Sequence, residues 1–229
     1  MTENGPYTPD DKMATLISDD YRLLQVLSRF GIPLGFGDKT VKEVCKDRNV
    51  DCLTFLTVIN FVTKDSEEKP SASGLSLTSL LEYLKQSHVY FLKFCLPAIR
   101  KKLIEGITLK DSDVSFLILK LFDEYVDGIR EHMEEEEANL FPIVVSISNG
   151  DIVGKDRIYV YSRHHEEVGS KLKELKKIII KYCPLAANAN TLNDALFDIY
   201  RCEEELSSHC KIEDLLLLPA LRNAINHIS

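Results

Sequence analysis

The sequence predicts an all-α protein: an up-down-up-down four-helix bundle preceded by a small helical domain. Three observations predict it. Apolar residues recur at helical spacing through four long stretches, near 76–104, 112–147, 155–181 and 191–226. The connections between them are short (Gly106 to Asp111, Ser148-Asn149-Gly150-Asp151, Cys183-Pro184 to Asn190), which makes consecutive helices antiparallel neighbours. Pro and Gly number only 8 and 10 in 229 residues, a usage that favours helices.

Taken in order, residues 1–11 are polar, contain Gly5, Pro6 and Pro9, and form an expected flexible tail. A small helical domain is expected over 12–64. Its first helical pattern runs from Lys12 to Phe30 and breaks near Ser18-Asp19-Asp20, which can cap a new helix. It stops at the turn-rich Gly31-Ile32-Pro33-Leu34-Gly35-Phe36-Gly37-Asp38. Thr40 then caps a short helix carrying Val41, Val44 and Cys45, and Asp51 caps another carrying Leu53, Phe55, Leu56, Ile59 and Phe61. Residues 65–75, polar and Ser-rich, are the expected linker, and 76–229 the bundle.

Composition narrows the function. The net charge of −8 argues against nucleic acid, which needs clustered Lys and Arg. The run Arg100-Lys101-Lys102 is short and fits a helix C-terminus. No apolar run approaches the roughly 18 residues of a membrane helix, and the N-terminus carries no secretory pattern, so the expected location is the cytoplasm. The six Cys show no CxxC spacing and are expected as free thiols.

The chemistry lies on the inward faces of the bundle. His132 is followed four residues later by Glu136 and ten later by Pro142; His209 is followed in the same way by Glu213 and Pro219. Residues i and i+4 share a helix face, so each pair projects together. A seam register places Leu77, Leu81, Leu84, His88, Phe91 and Cys95 inward on the first helix. On the second it selects Ile118, Leu121, Tyr125, Ile129, His132 and Glu136. On the third it selects Tyr161, His165, Val168, Leu172, Leu175 and Ile179, and on the fourth Leu192, Leu196, Ile199, Cys202, Leu206, His209 and Glu213. Ionisable side chains on apolar seams need either a hydrogen-bond network or a metal. Four imidazoles and two carboxylates, one imidazole from each helix, suit two ions of iron, manganese or zinc. The order His-x-x-x-Glu is not the Glu-x-x-His order of ferritin-like bundles.

Two choices arise within this set. The repeat selects Glu136 over Glu135, because Glu135 matches Ile212 in the fourth helix. The register selects His165 over His164, which is left as a supporting group, an exposed residue or an extra ligand. The remainder of Glu134–Glu137 reads as a solvated face, and His227 as an end residue outside the site.

These motifs resemble the hemerythrin-like (HHE cation-binding) superfamily, and more specifically the RIC family of di-iron proteins, which repair iron–sulfur centres and are also described as regulators of cell morphogenesis and NO signalling. The resemblance rests on His132…Glu136…Leu140-Phe141-Pro142, His165-Glu166-Glu167-Val168-Gly169, His209…Glu213…Pro219, and His88 followed by Leu96-Pro97. It implies a centre of two non-haem irons, oxo- or hydroxo-bridged, held by His88, His132, Glu136, His165, His209 and Glu213, with both Glu bridging. Arg29-Phe30-Gly31-Ile32, Lys39-Thr40-Val41 and the helix after Asp51 are similar to the family's leading domain. The family's Cys-Cys-Gly-Gly turn is replaced by Leu34-Gly35-Phe36-Gly37. The expected function is therefore iron–sulfur cluster repair or iron donation under nitrosative or oxidative stress. The first alternative is an O₂-, NO- or redox-sensing module, and the second a di-iron oxidoreductase acting on NO or peroxide. Expected partners are NO or O₂, damaged iron–sulfur proteins, and a second copy of the chain in a homodimer. A metal-free bundle with a polar core network is the remaining alternative.

Overall fold

The computed structural model describes residues 6–63, 71–107, 113–151, 165–183 and 188–228, with the backbone alone at 165–171 and 227–228. The start of the expected tail, most of the expected linker and the expected start of the third long helix at 155–164 lie outside the described residues. Among the described residues the regular structure is helical, as the patterns predict. The α-helices are α1 (Met13–Asp19), α2 (Leu23–Arg29), α3 (Val41–Asp47), α4 (Cys52–Thr63), α5 (Leu77–Tyr90), α6 (Leu96–Gly106), α7 (Asp113–Glu135), α8 (Phe141–Ser148), α9 (His165–Tyr182), α10 (Ala189–Ile212) and α11 (Leu218–Ile228). Backbone packing divides the chain into two compact units. One is Met1–Ser87 with Phe141–Lys155 and Lys211–Ser229; the other is His88–Leu140 with Asp156–Cys210.

In the first unit the short helices are set by their caps. Thr40 and Glu43 form a reciprocal capping box at the start of α3, with the Thr40 N–H donating to Glu43 Oε2 at 2.7 Å. Asp51 Oδ1 accepts from the Thr54 N–H at 2.8 Å and from its hydroxyl at 2.6 Å. The buried Thr54 hydroxyl in turn accepts the Ser76 N–H at 2.8 Å, tying the start of α4 to the start of α5. Gly31, at φ 66°, ends α2: its N–H donates to the Ser28 carbonyl and the Ile32 N–H to the Leu27 carbonyl, orphan acceptors of the last turn. Phe30 packs edge-on against Phe55 and tilts against Tyr83, with ring centroids 5.3 and 5.0 Å apart. Arg29, although buried, donates to the Tyr83 hydroxyl at 3.2 Å.

The second unit is a four-helix bundle. Phe91, Leu96, Ile99 and Leu103 meet Ile118, Phe122, Tyr125, Ile129 and Met133 from α7. Leu172, Leu175 and Ile179 from α9, and Leu192, Ala195, Ile199, Cys202 and Leu206 from α10, complete the same core. Cross-helix pairs show the direction of each neighbour. Arg100 on α6 donates to Asp123 on α7 at 2.7 and 2.9 Å, and His88 earlier in the chain meets Glu137 later in it. Lys102 pairs with Asp194 at 2.5 Å and Asp198 at 2.6 Å on α10. Lys176 on α9 pairs with Glu203 and lies over the Tyr200 ring. From His88–Glu137 to Arg100–Asp123, and from Lys102–Asp198 to Gly106–Leu192, one number rises as its partner's falls, so α6 runs antiparallel to both α7 and α10. The Gly106 carbonyl accepts the Asn188 N–H, and a Cβ on Gly106 would lie 2.9 Å from Leu192 Cα, so the close approach of α6 and α10 requires glycine there.

The expected seam needs one correction. On α7 the fully buried positions include Phe122 and Met133, whereas the expected Leu121 and His132 are only half-buried. On α10 Ala195 is buried where Leu196 was expected. A bundle helix in a globular unit buries a stripe wider than a strict two-position seam, so residues flanking it are drawn in.

Candidate metal centre

Three of the helices that carry candidate ligands share a local device. Beyond α5 the backbone opens into a π-helical segment, Phe91–Cys95, and α6 then begins Leu96-Pro97. Beyond α7 the π segment is Glu136–Leu140, followed by Phe141-Pro142. Beyond α10 it is Glu213–Leu217, followed by Leu218-Pro219. A proline inside a helix lacks the N–H for the next bond, and its ring strikes the carbonyl four residues earlier. A turn closed by i→i+5 bonds moves that carbonyl away, so the wide turn and the proline belong together. Each wide turn starts at, or three residues after, a candidate ligand.

Within the second unit these turns gather His88, Glu136 and His209. Each offers one ligand atom, and the three atoms lie within 4.8 Å of one another. All three side chains are buried, at 1%, 2% and 1% exposure. The Glu136 carboxylate stands between two imidazoles: Oε2 is 3.2 Å from His88 Nε2 and Oε1 is 2.9 Å from His132 Nε2. The His88 and His209 ring centroids are 5.2 Å apart, and Phe91 meets His209 edge-on at 6.1 Å. On its other side His88 Nδ1 donates to Glu137 Oε1 at 2.9 Å.

The electrostatics of this cluster suit a cation. Burial opposes a charge on His88, but hydrogen bonding and attraction from Glu136, and then from Glu137, outweigh it and hold its pKa above the ordinary imidazole range. A buried carboxylate facing two imidazole nitrogens needs positive charge close by, as a proton on a ring or as a metal ion. Imidazole with carboxylate, and no thiolate in the group, is a donor set for iron, manganese or zinc. The residues present therefore fit a metal.

The other candidates are placed as follows. His132 is near the surface of the cluster, with its side chain 13% exposed, and reaches it through Glu136. Glu213 is buried at the start of the third π segment and belongs to the first unit. His165 opens α9, but its side chain, and the whole of His164, lie outside the described residues. The same holds for the side chain of His227. Glu137 lies on the solvated face, with its side chain 50% exposed, and from there it also accepts from His88 Nδ1. The signal for it was Pro142. Here the proline follows a wide turn, and in a wide turn each residue advances less around the axis, so Glu136 and Glu137 face one neighbour together.

Comparison with known proteins bears on this arrangement. A family model described as the hemerythrin HHE cation binding domain matches residues 79–221. The chain is also 21% identical, over 215 residues, to the iron-sulfur cluster repair protein ScdA of Staphylococcus haemolyticus (strain JCSC1435). That match covers 92% of this chain and 97% of the relative.

Proposed function

Because the chain belongs to the hemerythrin HHE cation-binding family, we propose that it is a non-haem di-iron protein of the RIC type. It acts in the cytoplasm under nitrosative or oxidative stress, repairing iron–sulfur centres or donating iron to them. The near full-length likeness to an iron–sulfur cluster repair protein supports the RIC assignment. The observation that carries the di-iron reading is Glu136, whose two oxygens each face a different imidazole in a buried site. A carboxylate so placed is suited to bridge two ions.

His88, His132, Glu136, His165, His209 and Glu213 would hold the irons. When bound, the pair supplies a redox-active site for NO or O₂, or iron that can be given up to a damaged cluster. The protein's own part is positional. Phe91 packs on His209, and burial of His88, Glu136 and His209 keeps bulk water from them. The four imidazoles must present neutral nitrogens, so protons compete with metal.

A second reading, a module that senses O₂, NO or redox state, is favoured by one feature. Where the family carries paired cysteines, this chain has an exposed Leu34 and glycines at φ 96° and 58°. The turn survives without its thiols. The experiment is to mix iron-loaded protein with an iron–sulfur enzyme inactivated by NO. Repair predicts recovery of that enzyme faster than free ferrous iron achieves at equal concentration. Reversible NO binding with no recovery favours sensing, and catalytic loss of NO or peroxide favours an oxidoreductase.

A further inference from the structure

Resting on that reading of the centre, we propose that Glu137 is its positioning residue. The carboxylate accepts a hydrogen bond from the Nδ1–H of His88 and thereby fixes which ring nitrogen is left to bind metal. An imidazole has two nitrogens, and the partner of one decides the protonation of the other. Here Nδ1 is held by Glu137 Oε1 at 2.9 Å, which leaves Nε2 directed at Glu136 Oε2, 3.2 Å away. Adjacent carboxylates in one π turn thus clamp the two nitrogens of a single buried ring. The arrangement has direction as well as grip: the His88 side chain is 1% exposed, whereas that of Glu137 is 50% exposed. The neighbouring Glu134 and Glu135 are also exposed, so the acidic run has one member turned to this task and others left in solvent.

An anionic acceptor on the distal nitrogen fixes the ring's rotation and makes the other nitrogen a stronger donor. Stronger donation favours the more highly charged metal, so Glu137 lowers the reduction potential of the centre while raising its affinity. Neither effect needs Glu137 to touch the metal.

The test uses the iron-loaded full chain with Glu137→Ala, Glu137→Gln and, as a charge control on the same run, Glu134→Gln. Iron retention is read by competition with a chelator, and the midpoint potential by redox titration followed optically. Glu137→Ala is expected to weaken retention about 10- to 100-fold and to raise the potential. Glu137→Gln, which keeps an acceptor oxygen but loses the charge, falls between it and the native protein. Glu134→Gln matches the native protein. Wild-type retention and potential in Glu137→Ala overturn the inference while leaving the centre intact, as does an equal effect from Glu134→Gln. A native chain that binds no iron overturns the centre and the role of Glu137 with it.

Discussion

The four helices of the second unit bury two quite different interiors. Towards Gly106, Leu103, Ile118, Phe122, Ile179 and Leu192 make an apolar core. Towards His88 the same helices bury Glu136 and His209. The first region is stabilised by area removed from water, and any loss of volume there weakens the fold. The second is burdened by desolvated polar groups, which metal-free protein tolerates only through protons and internal hydrogen bonds. One region holds the bundle together, and the other is held by it.

That contrast can be broken most sharply at Glu136. Glu136→Ala is expected to abolish most metal binding, measured as metal per chain, without lowering the denaturant midpoint of the metal-free protein at alkaline pH, where His88 is neutral. A large loss of metal-free stability at that pH would show that Glu136 is structural instead. Phe122→Ala should behave in the opposite way. It is expected to cost about 3–5 kcal/mol of stability in chemical denaturation, with metal per folded chain unchanged. Gly106→Val tests the same region by overfilling it. A Cβ there meets Leu192 backbone at 2.9 Å, so a loss of about 1–3 kcal/mol is expected.

The smallest effect is a dependence on pH. The folded pKa of His88 is raised, so its protonated form contributes stability to the metal-free protein below the unfolded imidazole value of about 6.5. That contribution is lost as pH rises through the folded value. Metal binding moves the other way, because the proton must leave: affinity falls as pH drops through the same raised value. Unfolding midpoints of metal-free native protein and His88→Gln, compared across pH, should converge as pH rises.

Much of this organisation was legible in the chain. Thr40 with Glu43, and Asp51 with Thr54, are local in sequence, and local rules place their caps. The apolar periodicity brought His88, Glu136 and His209 to buried positions because burial and helical spacing act together. What escaped depends on contacts across space. Glu137 reads as one more solvated Glu until the wide turn before Pro142 brings it to His88. The same holds for Arg29 against Tyr83 and for Lys176 against Glu203, buried cations whose partners lie on other helices. The exchange of Leu121 for Phe122 in the core follows from a buried stripe wider than the seam used to predict it.

The central claim is that the buried His and Glu side chains form a centre for two irons. Metal analysis of the purified protein, joined to an optical spectrum recorded aerobically and after reduction, tests it most directly. Two irons per chain, with near-ultraviolet and visible bands of a coupled ferric pair that bleach on reduction, is the predicted result. A single zinc, or no metal after iron loading, would contradict it.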